Sequence, residues 1–173
     1  MFDHPAEVKA TDVEADATVA ERVEEAGAVL LKKAEGQLPL NTVRIRSIAL
    51  IGMHADVGVL SGGGSGQVDP VGGNAVPVRG NPRLLDLLAR PVWDPSSPLH
   101  AIRAMVPKAR VHFDPGTDVG SATRLAAKSD IAIVFASQLT HEGADLENLV
   151  LPGNQDELIN HVAAANPLLS SCW

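Results

Sequence analysis

Ile131-Ala-Ile-Val-Phe-Ala136 contains no polar side chain, and three of its six residues (Ile131, Ile133, Val134) are β-branched. A run this short, apolar at odd and even positions alike, leaves no face for water, so it predicts a strand covered on both sides. Before it, Ser121–Ala127 predicts a helix. After it comes a polar loop and then Gln155–Ala165, a second helix opened by the turn Pro152-Gly153-Asn154. Helix, strand, loop and helix in succession point to a layered α/β domain with a largely parallel sheet. Further out, Ile45–Ile51 is an isoleucine-rich strand ending at Gly52, so Ile48–Ile51 and Ile131–Ala136 are expected to be the central strands.

The remaining elements are weaker. Val111–Phe113 reads as a brief strand turned by Asp114-Pro115-Gly116, and Ala28–Leu31 as a short apolar strand closed by Lys32-Lys33. Pro98–Val106 predicts a helix with Leu99, Ile102 and Met105 on one face, and Leu84–Leu88 a helical turn or two. Thr18-x-x-Glu21 has the form of a capping box, with Val19, Val23 and Ala26 behind it and Gly27 as a stop. Leu38-Pro39-Leu40 reads as a turn that plugs apolar side chains into the layer beneath. Residues 1–17 are polar and acidic and read as a linker or arm, followed by a domain over 18–167 and a tail at 168–173.

Composition removes several function classes. The 173 residues carry a net charge of −7, with 14 scattered basic residues, so no nucleic-acid partner is expected. No apolar run approaches the ~20 residues that span a bilayer, and the N-terminus has neither the basic nor the apolar region of a signal peptide. A cytoplasmic location and no membrane partner are therefore expected. The single cysteine, Cys172, precludes an internal disulfide. The six histidines show no metal-ligand spacing, so neither a metal nor a cofactor is expected.

Two segments hold candidate chemistry. Ser61-Gly-Gly-Gly-Ser-Gly66 lies in a glycine-rich loop region that runs to about Asn81. Ser65-Gly66-Gln67 lacks the lysine of a P-loop, and no helix opens after Gly66 as a dinucleotide fingerprint requires. The second segment is Gln138-Leu-Thr-His-Glu142-Gly-Ala-Asp145. It follows the strand at Ile131–Ala136, at the carboxyl end where open α/β sheets gather ligands.

Three stretches, in order, resemble the C-terminal domain of family-3 glycoside hydrolases. Ala28-Val-Leu-Leu-Lys-Lys with Leu38-Pro-Leu40 is similar to the family's "VLLKN…LPL". Ile48-Ala-Leu-Ile-Gly52, His54-Ala-Asp56 and Ser61-Gly-Gly-Gly-Ser65 are similar to its strand and glycine loop. Glu142-Gly-Ala-Asp145, Leu149-Val-Leu-Pro-Gly-Asn-Gln155 and Ala163-Ala-Ala-Asn-Pro167 are similar to "EGxD…LxLPGxQ…AANP". The resemblance covers about residues 20–167. It implies a partial (α/β)6-type sandwich with a mostly parallel sheet and helices on both faces.

The resemblance also implies β-glucosidase-type chemistry with retention at a terminal β-D-glucosyl bond, which needs a nucleophile and an acid/base about 5 Å apart. The family's nucleophile is an aspartate on a (β/α)8 barrel, and its acid/base is a glutamate that Glu142 matches. Such an acid is expected to have a raised pKa from partial burial and the nucleophile's charge. Asp145 matches the second acid of the stretch, in a supporting or loop-ordering role. Gly62, Gly63, Gly64 and Ser65 match the loop lining the leaving-group side, and His141 is placed to tune Glu142. The implied ligand is a β-glucoside or a short β-linked oligosaccharide.

The sequence departs from the family in several places. Leu146 stands where the family often has Arg. No part of the chain resembles the barrel, Met1-Phe-Asp-His-Pro5 resembles the linker that follows it, and Leu168–Trp173 replaces an expected buried strand. These features suggest an incomplete domain with an exposed sheet edge, and hence a homo-oligomer. Two functions remain open at this point. One is a β-glucosidase using another acid, Asp56 or Asp145, as nucleophile; the other is a non-catalytic module that binds sugar or completes a barrel from another chain.

Overall fold

In the computed structural model the description covers residues 10–32, 38–61, 63–76, 90–138, 140, 142–143, 145–166 and 170–172. The chain divides into two units, Met1–Pro39 and Leu40–Trp173.

In the first unit the helix α1 spans Val13–Gly27, earlier than the Thr18 capping box predicts. Asp12 is the cap, its carboxylate accepting from the Ala15 N–H at 3.0 Å, with Glu14 and Asp16 in the first turn to complement the helix dipole. Thr18 lies inside the helix, where its hydroxyl donates to the Glu14 carbonyl at 3.1 Å. Ala28–Leu31 forms no strand, and Val29, Leu30 and Leu31 are exposed. Four apolar residues become a strand only when a neighbouring strand supplies a ladder.

The second unit is built on a four-stranded sheet, parallel throughout, whose strands in order across it are β4 (Arg110–Asp114), β1 (Ser47–Ile51), β5 (Ile131–Phe135) and β6 (Ser170–Cys172). β1 and β5 are central, as their sequences predict, although β5 stops one residue short of Ala136. Their register sets Ile48 beside Ile131, Ala49 beside Ala132, Leu50 beside Ile133 and Ile51 beside Val134. Alternate residues therefore feed two cores. Ala49, Ile51, Ala132 and Val134 meet Ala122 and Ala126 of α3 (Val119–Ala127), and Leu158 and Val162 of α4 (Gln155–Ala165). On the opposite face Ile48, Leu50, Ile131 and Ile133 meet Leu99 of α2 (Pro98–Met105) and Val106. Of the expected apolar plug at Leu38-Pro39-Leu40, Leu40 packs at the edge of that second core, whereas Pro39 is exposed. The alanines matter because a small side chain at each contact lets α3 lie close to the sheet.

Polar clamps fix the ends. One Asp130 carboxylate oxygen accepts from the Arg46 and Ser47 N–H groups at 2.7 and 3.0 Å, and the Asp130 N–H donates to the Ser47 hydroxyl at 2.9 Å. This ties the start of β1 to the residue before β5. Buried Asn166, just after α4, donates to the carbonyls of Ala126 and Ser129 at 2.9 Å each, joining the ends of α3 and α4.

Three further features depart from the sequence reading. Met105, expected on the buried face of α2, is 74% exposed, because that helix ends there and Val106 takes the core position. A second, two-stranded antiparallel sheet joins β2 (Gly58–Ser61) to β3 (Val92–Asp94); strands of three or four residues are too brief to show a period. Ser170–Cys172, read as part of an atypical tail, pairs with Ile133–Phe135 as β6. Its backbone, rather than its polar sequence, makes the ladder. The helical turn expected at Leu84–Leu88 lies outside the described residues. Among the described residues no helix is long and apolar enough to cross a membrane.

Candidate active site

Two central strands running the same way deliver their following loops to one end of the sheet. β1 leads into Gly52, whose φ of +116° and missing side chain let the chain turn against β5: a Cβ there would stand 2.0 Å from the Phe135 carbonyl oxygen. Beyond it lies a cavity of about 480 Å³, lined by Met53, His54, Val59, Pro98, Phe135 and Leu151 among others. His54 holds a positive φ of 73°, unusual for a residue with a side chain, and its ring lies 4.4 Å from that of Trp93. Burial pushes the His54 imidazole pKa down, and Asp56 partly opposes that. Sequence reasoning gave neither His54 nor Trp93 a role of its own. The available signal was position alone, directly after a central strand.

The loop after β5 is pinned at its base. Buried Gln155 accepts from the Ser137 N–H at 2.7 Å and donates to the carbonyls of Ser137 at 2.9 Å and Pro152 at 2.8 Å. Residues 138–154 therefore leave and rejoin the domain at one fixed point, and Glu142 is carried on that span.

Glu142 meets the glycine loop 77 positions earlier in the chain. Its Oε2 accepts from the Ser65 N–H at 2.7 Å and from the Ser65 hydroxyl at 2.5 Å. Gly64 is required beneath it: its φ is +103°, and a Cβ would stand 2.8 Å from Glu142 Cβ and 3.2 Å from Oε2. Gly63 also has a positive φ, of 113°. Thus the tertiary structure brings together Gly64, Ser65 and Glu142 of the predicted set. Asp145 is exposed further along the same loop. Gly62 and His141 lie outside the described residues.

Glu142 is exposed, and its carboxyl pKa is lowered, not raised. The Ser65 hydroxyl and then the Ser65 N–H favour the carboxylate, and they outweigh the slight desolvation that opposes them. A carboxylate so held, facing solvent on a positioned loop, can exchange a proton with a bound ligand or with water.

Residues 28–169 match the model of the glycosyl hydrolase family 3 C-terminal domain. The chain belongs to glycosyl hydrolase family 3. Among family proteins, it is 32% identical over 147 residues to beta-D-xylosidase 3 of Arabidopsis thaliana, an alignment covering 80% of this chain and 16% of that protein. It is 28% identical over 149 residues to beta-xylosidase/alpha-L-arabinofuranosidase 1 of Medicago sativa subsp. varia, covering 79% and 16%. The chain thus spans about a sixth of the length of these relatives. Among solved structures, the beta-glucosidase of Bifidobacterium adolescentis superposes with a TM-score of 0.65 at 24% identity, over 96% of this chain and 22% of that one. The beta-D-glucoside glucohydrolase of Trichoderma reesei superposes at 0.63 and 23%, over 90% and 22%. At such identities the superpositions establish the α/β fold of the family 3 domain. The family match makes the chain a family 3 C-terminal domain.

Proposed function

We propose that this chain is the acid/base-bearing domain of a retaining β-glycosidase acting on terminal β-D-glucosyl bonds, with Glu142 as the acid/base. The observation that carries the proposal is the seating of Glu142 on the glycine loop by Ser65 and Gly64, on a span pinned by Gln155. In the first half-reaction the Glu142 carboxyl protonates the glycosidic oxygen as its bond to the sugar breaks. In the second, the carboxylate takes a proton from the water that releases the sugar. One carboxylate cannot also be the nucleophile, so in this proposal an aspartate of a (β/α)8 barrel supplies that part. Alone, the chain then does not turn over substrate; it acts by completing a barrel. The sequence relatives reported above are named as a β-xylosidase and a β-xylosidase/α-L-arabinofuranosidase, and the solved structures as β-glucosidases; the glucosyl assignment leans on the motif resemblance to the β-glucosidase type.

The test is trapping with a 2-fluoro-glucoside and its xylo analogue, followed by mass spectrometry, on the 173-residue chain alone and mixed with a family 3 barrel. The expected result is no label on the chain alone, and a label on the barrel aspartate in the mixture, faster with the gluco reagent. A label on Asp56 or Asp145 would overturn the division of labour. Faster labelling by the xylo reagent would overturn the glucosyl assignment.

A further inference from the structure

Ser65 reaches Glu142 with two donors at once. Its N–H and its hydroxyl, 2.7 and 2.5 Å away, converge on the same oxygen, Oε2. Gly64 has given up its side chain and taken a positive φ to let the turn approach this closely. A serine that merely lined a cleft would need neither arrangement.

We propose that Ser65 is a positioning residue for Glu142, whose paired donors capture the carboxylate formed each time Glu142 releases its proton and hold Oε2 in place for the return step. The inference rests on the acid/base reading of Glu142. The proton balance is closed: the Glu142 O–H breaks toward the leaving oxygen, and the carboxylate is held by Ser65. The attacking water then returns a proton to Glu142 as its oxygen bonds to the sugar and the bond from the sugar to the barrel aspartate breaks, releasing that carboxylate. Ser65 keeps its own proton throughout. It favours the ionised side of both steps, strengthening Glu142 as an acid and weakening it as a base. The turn at 63–67 contains no titratable side chain; further along, Asp69 is paired with Arg90 at 2.9 Å. On the Glu142 span, the other titratable groups of the described residues are Asp145 and Glu147.

The experiment is carboxyl ¹³C NMR titration of the 173-residue chain labelled at glutamate, with the Glu142 resonance assigned through Glu142→Gln. Ser65→Ala is expected to move the Glu142 midpoint upward, and Ser65→Thr, which restores a hydroxyl, to bring it back toward wild type. Dispersed amide spectra confirm that each variant is folded, and Ser65→Gly stands in if the alanine variant is not. An unchanged midpoint in Ser65→Ala, or equal shifts in the alanine and threonine variants, overturns the role given to Ser65. In the barrel mixture, the alkaline limb of kcat/KM should move in the same direction as the midpoint, with kcat changing more than KM. A shifted midpoint beside a mixture whose activity ignores Glu142→Gln would leave the Ser65–Glu142 coupling standing and remove the catalytic proposal instead.

Discussion

Gln155 satisfies both backbone groups of Ser137 with one side chain, accepting from the N–H at 2.7 Å and donating to the carbonyl at 2.9 Å. The first residue of α4 is thereby fastened to the second residue beyond β5, and the Glu142 span is closed at its neck.

Replacing Gln155 with leucine should destabilise the domain by about 1–3 kcal/mol, because the part-buried Ser137 N–H and carbonyl lose the partner that buried Gln155 supplies. Gln155→Glu should also destabilise it, since an ionised carboxylate cannot donate to the Ser137 and Pro152 carbonyls. Urea unfolding followed by circular dichroism measures both. A change below about 0.5 kcal/mol in each variant would show that water replaces the amide without loss.

Gly52 and Gly72 separate two costs of adding a methyl group. Both have positive φ, but the Gly52 Cβ would collide with the Phe135 carbonyl, whereas Gly72 faces open space. Gly72→Ala should cost about 1 kcal/mol from backbone strain alone. Gly52→Ala should cost roughly 2–4 kcal/mol, as strain and collision add. Similar melting temperatures for the two variants would argue against the close approach of β1 and β5 at this end.

Asp130 should give the fold an acid-sensitive edge. The N–H groups of Arg46 and then Ser47 hold its carboxyl below the usual carboxylate range. A lowered native pKa binds fewer protons in the folded state, so the stabilisation is complete above the unfolded value of about 3.9. It is lost as pH falls from there through the native value. Stability measured between pH 7 and pH 2 should decline below about pH 4 in wild type, with a shallower decline in Asp130→Asn. Parallel curves would remove Asp130 from the linkage.

For the proposed acid/base, Glu142→Gln in the barrel mixture should penalise alkyl or sugar leaving groups about 10²–10⁴-fold more than nitrophenolate, which departs without protonation. Azide should partly restore turnover on the nitrophenyl substrate by occupying the place of the activated water. Equal losses in kcat/KM for both substrate kinds would exclude the acid role.

The central strands were legible because burial on two faces writes itself directly into sequence: Ile48–Ile51 and Ile131–Phe135 have no position to spare for a polar residue. The helix at Gln155–Ala165 was legible from the turn that opens it, and the one at Pro98–Met105 from the spacing of Leu99 and Ile102 on its buried face. Short strands whose identity depends on a neighbour were not, namely β2, β3 and Ser170–Cys172. Conversely, Ala28–Leu31 has strand-like composition without a strand.

The same division runs through the site. The α/β layering, the two central strands, and the glycine-loop and Glu-Gly-Ala-Asp segments that mark the family can be read from residue order, because these are local patterns of side-chain type. That Ser65 and Gly64 meet Glu142, that its carboxyl pKa falls instead of rising, and that His54 lies against Trp93 beside a cavity emerge from the folded chain. Those facts depend on hydrogen bonds and close approaches between residues tens of positions apart. A linear pattern carries the residue types but not the distances between them.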